Sequence, residues 1–270
     1  MDRKTLVKPG SPVRLRDFDP DDCGAFCKRD AAVAEKLQAD LEALCDLQER
    51  LYAESRQALL IILQGMDAAG KDGTISHVMR GFNPQGCAVT PFKVPSAEEL
   101  AHDFLWRIHQ HTPARGHIAV FNRSHYEDVL VVRVHKLAPA SVWKKRYAQI
   151  NAFERLLHES GTRIIKLFLY ISKDEQKQRL EDRIADPAKQ WKISSSDLPE
   201  RRLWDDYLAA YEEALTRCST DYAPWHVIPS NRKWYRNLQV ADIMVTTLRQ
   251  MDPQWPKPSV DLSKGLIIDD

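Results

Sequence analysis

Apolar positions along the chain follow two rhythms. Over residues 25–56, Leu37, Leu41, Leu44, Leu47 and Leu51 recur at three- and four-residue spacing, which predicts a helix with one apolar face. Such a helix suits either the cover of a sheet or contact with a partner subunit. Short continuous apolar runs then appear at residues 58–63, 87–92, 117–121, 163–171 and 225–228. Runs bounded by turn residues and lacking polar alternation are expected of strands buried on both faces. Asn83-Pro84-Gln85-Gly86 and Thr112-Pro113-Ala114-Arg115-Gly116 supply two of those turns. Helical segments are predicted between the strands, over residues 72–80, 97–111, 123–135, 142–158, 173–184, 200–217 and 234–251. The segment 97–111 presents Leu100, Phe104, Leu105 and Ile108 as its apolar face.

Strands that alternate with helices imply an α/β fold, with a parallel sheet covered by helices on both faces. Residues 1–24, with Pro9, Gly10, Pro12 and Pro20 among charges, read as an extended arm. Residues 25–252 read as one domain, with a helical insertion between the fourth and fifth strands. Residues 253–270, marked by Pro253, Pro256 and Pro258, read as a tail. No internal repeat or low-complexity tract interrupts this order.

Composition narrows the class without naming a partner. The 270 residues are 43% hydrophobic and 29% charged, with a formal net charge of +1. These are ordinary values for a globular protein, so no global field calls for nucleic acid or a membrane surface. Any anion site must come from local clusters. Cys23, Cys27, Cys45, Cys87 and Cys218 are odd in number and lack C-x-x-C spacing, as expected of reduced thiols. Met1-Asp2-Arg3-Lys4 precedes no long apolar core, and no stretch is long enough to span a bilayer. The expected location is the cytoplasm.

The first strand runs into Gly65-Met66-Asp67-Ala68-Ala69-Gly70-Lys71-Asp72-Gly73. Gly65-x4-Gly70-Lys71 is P-loop spacing, in which backbone N–H groups wrap a phosphate and the lysine neutralises it. The turn opens a helix, whose N-terminus favours anions. Asp72 stands where a P-loop ordinarily has Ser or Thr for magnesium.

Sites in open α/β sheets lie beyond the carboxyl ends of the strands. The third strand ends there in a second cluster, Phe121-Asn122-Arg123-Ser124-His125-Tyr126-Glu127-Asp128. Phosphoryl transfer needs cations around the moving group, a carboxylate-held metal and in-line positioning. Lys71 and Arg123 can supply charge, and Asp67 and Asp128 can supply metal oxygens. Arg123 and Glu127, four apart, also suit a structural ion pair.

A third cluster lies in the insertion. Arg179 and Arg183 share a helix face, and Lys189 and Lys192 flank Trp191. Residues 177–202 hold seven basic and five acidic side chains, so the segment suits a solvated face as well as a lid over phosphates. A further series, Arg133, Lys136, Lys144, Lys145 and Arg146, can line an anion track or face solvent. The nine histidines show no metal spacing, and no G-x-S-x-G elbow is present.

Taken with Asp186-Pro187-x2-Gln190-Trp191-Lys192 and Ala223-Pro224-Trp225, the first two clusters resemble the polyphosphate kinase 2 family, over about residues 25–250. The resemblance accounts for Asp72, because Asp commonly follows the lysine in that family. It implies a three-layer P-loop kinase fold of thymidylate-kinase type, with about five parallel strands and a helical lid near residues 179–200. It also implies transfer of a terminal phosphoryl group between inorganic polyphosphate and a nucleotide, with Mg²⁺. Asp67 then corresponds to the metal-linked carboxylate and Asp128 to the second metal ligand. Lys71, Arg123 and the lid residue Arg183 correspond to the catalytic cations. The polyphosphate is expected on Gly65, Ala68, Ala69, Gly70, Lys71, Asp72 and Gly73, with Arg179, Lys189 and Lys192 beyond. The nucleotide is expected on Asn122, Arg123, Glu127 and Arg133. Asn122, where many members have Asp, resembles the subgroup that accepts both AMP and ADP. The expected partners are polyphosphate, adenine nucleotides with guanine nucleotides as a second class, and copies of the same chain in a dimer or tetramer. Neither nucleic acid nor membrane is expected.

Two other readings fit a P-loop. An ATP-dependent nucleoside monophosphate kinase should carry Ser or Thr after the lysine, and Asp72 counts against it. A non-catalytic nucleotide switch would leave Arg123, Arg183 and the paired carboxylates without a task.

Overall fold

A computed structural model describes residues 5–260. In chain order it contains α1 (Ala31–Glu54), β1 (Ala58–Gly65), α2 (Lys71–Val78), β2 (Cys87–Pro91), α3 (Ala97–Ala101), α4 (Trp106–His109), β3 (Ile118–Asn122), α5 (Val131–Val134), α6 (Ala140–Glu159), β4 (Thr162–Tyr170), α7 (Lys173–Ala185), α8 (Asp197–Arg202), α9 (Trp204–Cys218), β5 (Trp225–Pro229) and α10 (Lys233–Met251). The five strands pair in parallel in the order β2-β3-β1-β4-β5. The central strand β1 is buried at all eight positions, as its unbroken apolar run requires between two helical layers. Leu59, Leu60 and Ile62 are wholly buried, each contributing about 1.5–3 kcal/mol through removal from water.

The order places β3 and β4 on either side of β1 and reverses the chain's direction of travel there. The crevice at such a reversal is where open α/β sheets bind ligands. Leu63 is in register with Asn122, and Gly65 with Leu169, so the loops after β1 and β3 emerge side by side.

The leucine stripe of α1 lies against α10, with Leu41, Leu44 and Leu51 buried. Lys36 links the two helices through Asp40 and Asp242, each at 2.7 Å. That stripe is therefore covered within the chain and gives no argument for a partner subunit. The N-terminal segment runs along β5: Val7 N donates to Trp225 O at 2.9 Å, and Val227 N to Thr5 O at 2.8 Å. It covers the sheet edge there, which limits unwanted strand pairing. Residues 1–4 of the expected arm and 261–270 of the expected tail lie outside the described residues.

Three expected helices are broken. Segment 97–111 forms α3 and α4, because the Asp103 carboxylate accepts from Leu105 N at 2.9 Å and caps a new start. Segment 123–135 is a 3-10 turn (His125–Asp128) followed by the one-turn α5. Arg123 is left-handed at φ 65°, and Ser124 is extended with its hydroxyl accepting from Tyr126 N, so no α-helix can start at 123. Segment 200–217 divides at Leu203 into α8 and α9. The first of these extends back to Asp197, because Pro199 falls in the opening turn, where no N–H is needed.

Candidate active site

The loop between β1 and α2 is shaped by contacts its sequence does not reveal. Ala68 and Gly70 take left-handed backbone, at φ 61° and 101°. A Cβ on Gly65 would stand 2.8 Å from Leu169 O, and one on Gly70 would run into the Arg236 guanidinium. The P-loop glycines thus allow close approach as well as a turn. Lys71, the first residue of α2, is 9% exposed and donates to Gly65 O at 2.7 Å and Met66 O at 3.3 Å. Burial pushes its ammonium down to about 8, and Arg123 adds to the push while Asp67, Glu127 and Asp72 oppose it.

Arg123 is the hub of the second cluster. Its guanidinium donates to Asp67 Oδ1 at 2.6 Å and to Glu127 Oε2 at 3.4 Å. The loops after β1 and β3 are therefore joined by a charged bond between their predicted catalytic residues. The expected Arg123–Glu127 ion pair forms, but across the 3-10 turn rather than along an α-helix. Asn122 Nδ2 donates to Asp72 Oδ1 at 2.7 Å. The two unusual positions of the sequence are thus partners. A carboxylate at 122 would face the carboxylate of Asp72, whereas the amide satisfies it. Asp128 accepts from Arg146 Nη1 at 2.8 Å, and burial raises its carboxyl to about 6 against the pull of Arg146.

Beneath this turn lies a buried ionic network. Lys166 on β4 donates to Glu154 Oε2 at 2.6 Å and to the Tyr126 hydroxyl at 2.9 Å. Tyr126 donates to Glu154 Oε1 at 2.8 Å, and His125 Nε2 lies 3.2 Å from the same oxygen. The side chains of Glu154, Lys166 and His125 are wholly buried. Burial works to raise the Glu154 carboxyl, and Lys166 with His125 more than offsets it. Burial lowers the His125 imidazole, and the contact with Glu154 opposes it. The Trp225 ring stands edge-on to Tyr126 at 4.8 Å, which brings the third strand's motif together with Ala223-Pro224-Trp225.

A cleft of about 690 Å³ opens from these loops. Gly65, Asp67, Arg123, Glu127 and Asp128 line its inner end, while Val94, Leu100 and Leu137 line its apolar mouth. Arg107 and Arg146 also line the cleft, stacked on Phe92 and Phe104 at 5.2 and 5.0 Å. The sequence reading missed Arg107 altogether. It placed Arg146 only in a basic series, since a lone arginine on an amphipathic helix carries no motif.

Other expected site residues are elsewhere. Arg179 is 6% exposed, and its guanidinium donates to Ala68 O and Ala69 O at 2.9 Å, to Ser230 O and Asn231 O, and to Glu175. With its donors committed to carbonyls, it braces the P-loop rather than reaching phosphate. Gln176 on the same helix donates to Asp67 O at 2.9 Å. Arg133 pairs with Glu213 at 2.6 Å and stacks on Trp143, so it does not line the cleft. Arg183 makes no hydrogen bond or ion pair among the described residues. Lys189 pairs with Asp186, and Lys192 lies over Trp191; both are exposed on the 186–196 loop. Among the described residues no three acidic, histidine or cysteine side chains gather into a metal cage.

The sequence model described as "Polyphosphate kinase 2 (PPK2)" matches residues 27–256. The chain belongs to the polyphosphate kinase 2 family. An AMP/ADP-polyphosphate phosphotransferase of Meiothermus ruber is 51% identical over 265 residues, covering 98% of this chain and 99% of that protein. An ADP-polyphosphate phosphotransferase of Rhodopseudomonas palustris is 47% identical, over 86% of this chain and 85% of that one. The crystal structure of polyphosphate kinase 2 from Arthrobacter aurescens TC1 superposes with a TM-score of 0.91 at 46% identity, covering 96% of this chain and 93% of that one. The P-loop kinase-like fold is thus that of a family whose members transfer phosphoryl groups.

Proposed function

We propose that the chain transfers the terminal phosphoryl group of inorganic polyphosphate to AMP and ADP, giving ADP and ATP, reversibly. The observation that carries this is the bond from Arg123 to Asp67, which joins the P-loop to the cleft at the place where the phosphoryl group would move. The donor chain would lie on the P-loop residues 65–73 and Lys71. The acceptor nucleotide would lie in the cleft, its phosphate toward Arg123 and Glu127 and its base toward the apolar mouth. An oxygen of the nucleotide phosphate attacks the terminal phosphorus, and polyphosphate one unit shorter leaves. That oxygen is already ionised, so the site needs no strong general base. Lys71 and Arg123 neutralise charge and fix the line of attack.

Mg²⁺ is the metal expected here. It is usually held by one or two carboxylates together with substrate phosphates rather than by a protein cage. Asp67 and Asp128, both on the cleft wall, fit that donor set. When bound, the ion would draw charge from the phosphates. The cytoplasm is the proposed location, and no helix of the described residues is long and apolar enough to cross a membrane.

The test is direct. Purified protein with polyphosphate, Mg²⁺ and AMP should form ADP and then ATP, and Lys71→Ala or Asp67→Ala should lower turnover at least about a hundredfold with the fold intact. Phosphorylation of AMP by ATP alone, with polyphosphate inert, would overturn the reading.

A further inference from the structure

Arg236 lies in the first turn of α10, outside every motif of the sequence, and is 3% exposed. Its Nη1 donates to Ala69 O at 3.3 Å, and its Nε and Nη2 donate to Asn237 Oδ1 at 3.2 and 2.9 Å. No carboxylate pairs with it among the described residues. Its guanidinium also occupies the space beside Gly70 that any other residue would fill. Arg179 stands next to it, bonded to the same Ala69 carbonyl. Two buried guanidinium groups therefore grip one turn of the P-loop, and among the described residues Glu175, 2.7 Å from Arg179, is the one carboxylate paired with either. Burial, with Arg179 second, lowers the Arg236 guanidinium to about 10, so it remains charged at neutral pH.

An unmatched buried cation is costly, and replacing it by an apolar side chain of similar size is often neutral or stabilising. The cost has a reason if an anion binds next to it. We propose that Arg236 is a positioning residue for the phosphate chain: it holds the Ala69 carbonyl back from the loop's anion site, and its uncompensated charge is balanced when polyphosphate binds. The inference rests on the reading that residues 65–73 hold phosphate. Arg236 need not touch the chain, because its contact is with the loop that does.

The experiment measures binding of inorganic tripolyphosphate by calorimetry, thermal unfolding without ligand, and steady-state rates for wild type, Arg236→Met, Arg236→Lys and Lys71→Ala. Arg236→Met should unfold at or above the wild-type temperature in the absence of phosphate. It should bind tripolyphosphate about tenfold more weakly, and should raise KM for polyphosphate by a similar factor while leaving KM for AMP in place. Arg236→Lys should keep binding within about threefold, since it keeps the charge. Arg236→Met that binds as wild type overturns the proposal. So does a loss of stability in Arg236→Met that Arg236→Lys restores without any change in affinity, because the residue would then be structural only. If Arg236→Met does not fold, Arg236→Gln takes its place under the same criteria, and failure of both while Arg236→Lys folds overturns the proposal as well. Unchanged binding in Lys71→Ala would instead remove the phosphate-site reading itself.

Discussion

Lys71 carries its charge where the surroundings resist it. Its pKa in the folded chain, about 8, is below the ordinary 10.5 of a free lysine. Folding therefore disfavours the charged form, and the stability contribution is lost as pH falls from about 10 through 8. At pH 7 the full penalty is present, on the order of 3 kcal/mol by linkage. Lys71→Met should accordingly raise the unfolding free energy at pH 7 by about 1–3 kcal/mol, in urea melts, with a gain that shrinks toward pH 10. No gain at pH 7 would contradict the buried, charged lysine. Activity should show the other side of the same chemistry. Burial holds the Lys71 ammonium down to about 8, so kcat/KM should fall as pH rises through that value and the phosphate site loses its charge.

At the scale of elements, the turn after β3 is the part that must hold its shape. Arg123 is left-handed there, which costs a non-glycine residue of order 1–3 kcal/mol, so the surroundings must impose it. The Glu154–Lys166–Tyr126–His125 network supplies that constraint from below. Lys166→Ala should be strongly destabilising, by about 3–5 kcal/mol, because it leaves Glu154 buried without its partner. The pair Glu154→Gln with Lys166→Met should recover most of that loss, as both charges are then gone. Chemical denaturation of the single and double variants measures this. An Ala variant within about 0.5 kcal/mol of wild type would show that the network bears no strain.

Over the whole molecule, the two ends of the helical insertion differ. Its base is tied down: Arg201 donates to Lys173 O at 2.6 Å and to Gln176 Oε1 at 2.9 Å, and the Tyr207 hydroxyl donates to Glu200 at 2.7 Å. Its outer loop is exposed, with Trp191 78% accessible. Arg183 sits at the junction with its guanidinium uncommitted among the described residues. Closure of this segment over a bound chain would bring a fresh cation to the phosphates and exclude water. Arg183→Ala should then raise KM for polyphosphate about tenfold, with the unfolding temperature within roughly 2 °C of wild type, as expected for a surface change. A falling unfolding temperature with unchanged kinetics would mark Arg183 as structural.

Local rules were sufficient for much of this. Buried strands must be apolar on both faces, so the five runs and their order of alternation with helices were legible in the sequence. Lys71 and Asp67 were legible because a phosphate-binding turn needs its residues close together in the chain, and Arg123 because it stands in a polar cluster at the carboxyl end of a strand. The breaks at 102–105 and 123–130 were less so, since side-chain caps and one left-handed residue compete there with helical periodicity. Long-range contacts were not legible at all. Nothing near Arg179 or Arg236 distinguishes a lid arginine from one that braces the P-loop. Asn122 and Asp72 are 50 positions apart, and only the parallel pairing of β1 with β3 makes them partners. The sequence by itself determined the layers and the chemistry of the phosphate turn, because both arise from neighbours along the chain. Tertiary structure decided which cations face the cleft and which support it from behind, because that depends on where distant helices meet the loop.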